Sequence, residues 1–207
     1  TITPHADGHN LTLAVEELKK PAEQVEYELE YQAGSLLQGA FDQFEVTSLP
    51  ARAQILLGSC SAGGACTFHE DVKGGSLLTR FSGDETYALK SRWKYIINSN
   101  RETNFSSQDA KFQLETDDLA NHSYLIIFNT AGYPAGLEAE PVSEIYSLTS
   151  TRNLNGEGQL TIRAEEEGEL TIMGYDGANW VEFETTTDGK MASAEVELME
   201  AYLVINQ

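Results

Sequence analysis

The sequence predicts an all-β protein: a β-sandwich followed by a small C-terminal β module. Three observations carry that expectation. Val25, Tyr27, Leu29 and Tyr31 alternate with Glu26, Glu28 and Glu30, which gives an extended strand one oily face and one acidic face. Asp176-Gly177 and Asp188-Gly189 are hairpin dipeptides, because glycine accepts the positive φ that tight turns require. Helical patterns are nearly absent: Val15 to Glu23 reads at most as a turn, and Pro21 interrupts it.

Taken in order, Leu11, Leu13 and Val15 alternate with Thr12 and Ala14 and read as the first strand. The run Val25 to Tyr31 is the second. Further strands are expected at Phe41 to Thr47, Gln54 to Gly58, Ser76 to Phe81, Leu89 to Ile97, Ala110 to Glu115 and Ser123 to Asn129. Tyr133 to Val142 holds Pro134, Gly136 and Pro141 and reads as a loop or a crossing between modules. Beyond it, Gln159 to Ala164, Glu169 to Gly174, Trp180 to Thr185 and Ala194 to Asn206 read as short strands. The division expected is residues 1–142 and 143–207, either as two domains or packed as one unit. The second part is small for independent stability.

Composition narrows the partners. The chain has 207 residues and a formal net charge of -20, from 33 Asp and Glu against 13 Lys and Arg. Such a surface argues against nucleic acid, whose phosphates need a basic footprint, and against anionic lipid. No apolar run resembles a signal or a membrane span. The chain begins at Thr1 without an initiator Met, which we read as the mark of an exported, processed protein. Asn-x-Ser/Thr sequons at Asn10, Asn104 and Asn121 would then permit glycosylation.

Cys60 and Cys66 flank Ser-Ala-Gly-Gly-Ala. A glycine turn brings their ends together, so a local disulfide is expected, and with it an oxidising compartment. Two cysteines alone do not close a structural zinc site, and the spacing is not that of a redox Cys-x-x-Cys pair.

One stretch resembles a known family. Tyr27-Glu28-Leu29-Glu30-Tyr31, Phe44-Glu45-Val46-Thr47-Ser48-Leu49-Pro50, the Cys60–Cys66 loop, Phe81-Ser82-Gly83-Asp84 and Leu89 to Ile97 are similar, in that order, to the Ig-like repeat domains of bacterial and archaeal cell-surface proteins. The resemblance covers Val25 to Asn98 and departs from the family pattern at Gln32-Ala33-Gly34, where an Asn-x-Gly is usual. It implies an Ig-like β-sandwich and a cell-surface setting. Trp180 to Val204 is similar to small terminal β modules of exported bacterial proteins.

Candidate chemistry is sparse. In an extended segment His5, Asp7 and His9 would share one face and offer two imidazoles and a carboxylate to a divalent metal. The same segment reads equally as a docked polar tail. Asp117 and Asp118 lie in a turn with Asn121 and His122, where carboxylate and amide oxygens suit Ca²⁺; a solvated turn is the plainer alternative. His69-Glu70-Asp71 makes a poor chelate, because neighbours on a strand point to opposite faces. No Gly-x-Ser-x-Gly and no His-Glu-x-x-His occurs, so the expectation is a non-enzyme without a required cofactor. Trp180 follows a turn and is the candidate for stacking on a sugar ring. Trp93, in phase with Tyr95, is expected in the core.

These readings converge on an extracellular structural protein, a subunit of a self-assembling surface fibre or appendage. Its joints are expected at Asn10, Leu11, Leu13 and Val15, and at Tyr202 and Val204, offered to neighbouring copies by strand exchange. The alternative is a monomeric adhesin or carbohydrate-binding module whose partner is a glycan or another cell-surface ligand.

Overall fold

Alternation along the chain is realised as nineteen strands and no helix in the computed structural model, which describes residues 1–207. The first third holds β1 (Ile2–Pro4), β2 (Asn10–Val15), β3 (Gln24–Ala33), β4 (Leu36–Glu45), β5 (Ala51–Leu56), β6 (Gly58–Cys60) and β7 (Cys66–Phe68). The middle forms β8 (Val72–Ser82), β9 (Tyr87–Ile97), β10 (Asn104–Ser106), β11 (Phe112–Glu115) and β12 (Tyr124–Thr130). The last third adds β13 (Ile145–Ser150), β14 (Glu157–Arg163), β15 (Leu170–Tyr175), β16 (Trp180–Glu182), β17 (Thr186–Asp188), β18 (Met191–Glu197) and β19 (Ala201–Asn206).

A nine-stranded sheet of order β16-β15-β19-β13-β12-β9-β8-β3-β4 forms the centre. A three-stranded sheet (β1-β2-β5) and a five-stranded sheet (β10-β11-β14-β18-β17) cover it, and β6 and β7 make a separate hairpin. Strand β12 shows how the layers are arranged. Ile126 and Phe128 pack with Leu11, Leu13 and Ile55 of the three-stranded sheet. Leu125 and Ile127 pack with Phe112, Leu114 and Leu160 of the five-stranded one. Successive side chains point to opposite faces, so the two smaller sheets lie on opposite faces of the large one, here called front and back. This explains the unbroken apolar runs Leu125–Phe128 and Tyr202–Ile205, which are buried throughout: a strand covered on both faces has no need of alternation.

The two covers are offset. The front cover lies over β3, β8, β9 and β12; the back cover lies over β12, β13, β15 and β19. On the front, the loop carrying Tyr133, Leu137 and Ala139 packs over Met173, Leu203 and Ile205. On the back, β3, β4, β8 and β9 stay open, and Glu26, Glu28, Glu30, Lys90 and Arg92 are exposed there. Hydrogen bonding runs across Val142, the boundary expected from the sequence: β12 pairs with β13 and β11 pairs with β14.

Three expected strands end elsewhere, each for a local reason. The strand expected at Phe41 begins at Leu36: its front residues Ala40 and Phe44 are only partly buried on the core and its back face is open, so the alternation is weak. Ala194 to Asn206 is two strands. The Tyr202 hydroxyl accepts the Met199 N–H and donates to the Glu197 carbonyl, both at 2.6 Å, and this holds a turn between β18 and β19. β16 stops at Glu182 because the chain turns back toward β15: Phe183 N–H donates to the Ile172 carbonyl (3.0 Å), and the Thr185 hydroxyl accepts from Ile172 N–H (2.9 Å).

Candidate functional site

The residues singled out in the sequence are placed as follows. Cys60 and Cys66 are directly opposite in the β6–β7 hairpin and form a disulfide. His5, Asp7 and His9 are not gathered around one point. His5 Nε2 is 2.7 Å from the Thr12 hydroxyl. Asp7 accepts from His9 N–H and Asn10 N–H and from the Asn10 amide, which caps the β1–β2 turn and holds its carboxyl below the usual range. The His9 ring stacks on Phe68 with centroids 4.2 Å apart. Gly8, at φ 72°, lets this turn press against Tyr124; a Cβ there would collide with the phenol ring.

Asp118 accepts the Glu157 N–H at 2.9 Å, so it clips two loops together. Gly156, at φ 113°, leaves room for that carboxylate. No group of three or more His, Cys, Asp or Glu side chains is arranged to hold a metal ion. Trp180 is half-buried against Tyr133 and Tyr175 and donates from Nε1 to the Pro134 carbonyl (3.3 Å). Tyr133 meets it edge-on and Tyr175 at a tilt. Trp93 is fully buried with Tyr31 and Tyr95 in the front core.

The strands expected to join neighbouring copies are interior strands. β2 is paired on one side with β1 and on the other with β5; its Leu11 and Leu13 are buried. β19 lies between β13 and β15, and its Tyr202 and Val204 are fully buried. Within the single chain both strands are already paired on each side, so either could join copies only by replacing its own pairing with that of a neighbour's identical strand.

A different strand forms an open edge with exposed apolar side chains. β4 ends the nine-stranded sheet and is paired only with β3. It runs for 10 residues and carries the three most exposed large apolar side chains of the chain: Phe41 at 82%, Leu37 at 69% and Leu36 at 62%. Register places Phe41 beside Glu28 and Leu37 beside Gln32, on the open back face. A shallow groove of about 540 Å³ lies there, bounded by Phe41, Gly39, the Glu26–Glu28–Glu30 row and Arg80. Arg80 is bonded to Glu28 at 2.6 Å.

Next to it on the back face, a polar cluster seals the seam between the large sheet and the five-stranded one. Asp109, in the β10–β11 turn, accepts from the Ser107 hydroxyl (2.5 Å) and the Tyr146 phenol (3.3 Å) and lies 3.7 Å from the Arg92 guanidinium. Burial alone would raise its carboxyl, but these donors and Lys111 N–H outweigh it and hold the group below the usual range. Arg92 also bridges to Glu144 at 3.0 Å, and Glu144 accepts from the Asn129 amide. Sequence reasoning missed both features. The cluster joins residues from four separate strands and turns, with no motif to signal it. The edge strand was visible only as the apolar pair Leu36-Leu37 followed by Phe41, without a period. No protein-family model, curated protein or solved structure matches this chain.

Proposed function

We propose that the protein is an extracellular structural subunit of a self-assembling surface fibre or appendage, joined by β-strand pairing at the open edge of its large sheet. The observation that carries this reading is β4: a long edge strand with Leu36, Leu37 and Phe41 exposed. An unpaired row of backbone donors and acceptors beside exposed apolar side chains is the arrangement on which another strand adds. The Cys60–Cys66 disulfide favours an oxidising, extracellular setting. The acidic surface keeps copies soluble until an edge engages. The resemblance of Val25 to Asn98 to Ig-like surface repeats belongs to the same reading. Relative to the sequence expectation, the joint moves from β2 and β19 to β4.

Electron microscopy and light scattering of the purified full chain, with and without Ca²⁺, test the reading. Regular particles or filaments larger than a monomer support it. A monodisperse monomer at all concentrations in both conditions refutes it and favours the adhesin alternative, for which a glycan screen is the next experiment.

A further inference from the structure

Among the outer edges of the covering and central sheets, β4 is the longest and the one that carries large exposed apolar side chains. β1, β10, β16 and β17 are 3 residues long each, and β5 carries Arg52. Short edges and edge cations are the usual protection against unwanted pairing. β4 has 10 residues, no Pro, no Lys and no Arg, and its only charges are Asp42 and Glu45.

We propose that β4 is covered by β4 of a second copy, antiparallel, about a two-fold axis that passes beside Ala40. The inference rests on the self-assembly reading above and names its partner, symmetry and register. A two-fold axis perpendicular to the sheet keeps front against front and back against back. Directly opposed residues therefore belong to the same face, which limits the registers to those centred on a residue. With Ala40 at the centre, the strands overlap from Leu36 to Phe44. Leu36 then faces the second copy's Phe44 on the front, and Leu37 faces its Gln43 on the back. Phe41 lies over its Gly39, a pairing that covers a strand glycine with an aromatic ring. Gln38 meets Asp42, an amide against a carboxylate.

The neighbouring registers are worse. Centring on Phe41 opposes Leu37 to Glu45 and Phe44 to Gln38. Centring on Asp42 places two carboxylates face to face, which is destabilising. Centring on Gly39 pairs Leu37 with Phe41 but sends Phe44 against the β3–β4 turn.

The net charge of -20 on each copy opposes association only weakly at this joint. The Glu26–Glu28–Glu30 row sits one strand inward from the edge. Across the joint, the two rows are three strand spacings apart, roughly 14 Å. That exceeds the Debye length of about 8 Å at physiological salt. An isologous contact closes on itself, so this joint alone gives a two-fold dimer, and a fibre needs a second contact elsewhere on the chain.

The test is disulfide trapping in the full chain, where both native cysteines are already paired. Ala40→Cys, oxidised mildly, should give a covalent dimer near completion, because directly opposed Cβ atoms lie about 4.5–5.5 Å apart. Phe41→Cys should cross-link roughly tenfold less or worse. Wild-type dimerisation should strengthen as salt rises from low to physiological levels. Preferential trapping by Phe41→Cys overturns the register. A wild-type assembly that neither variant traps overturns β4 as the joint while leaving self-assembly standing. A wild-type monomer at every concentration overturns both. Binding of a basic extended peptide to the monomer, tightened at low salt, would assign the edge to a different partner and also overturn the proposal.

Discussion

The Tyr31 phenol and His69 Nδ1 lie 2.8 Å apart. They connect the front core, where Tyr31 is fully buried, to the segment just after the disulfide hairpin. His69 N–H also donates to the Leu57 carbonyl (2.9 Å), and Phe68 stacks on His9. The β6–β7 hairpin is therefore held at its base by contacts that do not involve sulfur. Replacing Cys60 and Cys66 by Ser should leave the fold intact and remove only the entropic constraint on a short loop, about 2 kcal/mol. Calorimetry should show the melting temperature reduced by roughly 4–8 °C. Complete unfolding at room temperature would mean that the hairpin is not independently anchored.

His122 is buried, and its Nδ1 is 2.6 Å from the Ser150 hydroxyl. Burial, reinforced by the Arg152 charge, holds the imidazole below its ordinary value of 6.5. In the unfolded chain it protonates first, so its contribution is complete above pH 6.5 and is lost as pH falls below that value. Urea midpoints should be lower at pH 5.5 than at pH 7.5, and His122→Gln should flatten that difference. An unchanged slope in the variant would contradict this account of His122.

Asp109 works in the acid range. Its carboxyl is depressed below 3.8, so the stability it supplies is complete above that value and is lost as pH falls through the lower folded-state value. Asp109→Asn should lower stability at neutral pH and make the decline below about pH 4 shallower. Acid titration followed by tyrosine and tryptophan fluorescence reads both. Loss of stability at neutral pH with an identical acid limb would assign Asp109 a packing role alone.

Tyr202 closes the turn that splits the last two strands. Tyr202→Phe leaves the ring in place and strands the buried Met199 N–H, at a cost of about 1–3 kcal/mol. The melting temperature should fall by roughly 2–12 °C, with no change in association, because β19 is interior. A variant as stable as the parent would mean that another group satisfies the Met199 amide.

The parts of the fold that could be read in the sequence are those with one wet face and one dry face. Val25–Tyr31 became β3 because its alternation reports a half-buried strand, and Asp188-Gly189 became the turn between β17 and β18. Strands buried on both faces, such as β12, were recognised as strands, but their two-sided burial depends on which sheets come to lie above and below. β13 was missed because Ile145–Ser150 offers neither alternation nor a strong apolar run. The Arg92–Asp109–Asn129–Glu144 seam brings together distant segments, so no local pattern announces it. β4 was only partly read, because its exposed apolar residues answer to no burial within a single chain.

If β4 joins copies of this chain, removing its apolar character must abolish association. Light scattering across a concentration series tests it most directly, comparing the parent with Phe41→Lys and with Ile97→Lys, a change at another exposed apolar position (46% exposed) on a non-edge strand. With β4 as the joint, the parent and Ile97→Lys associate. Phe41→Lys should be monomeric with an unchanged melting temperature, its dissociation constant raised roughly tenfold or more. Equal association by all three proteins, or by none, would contradict it.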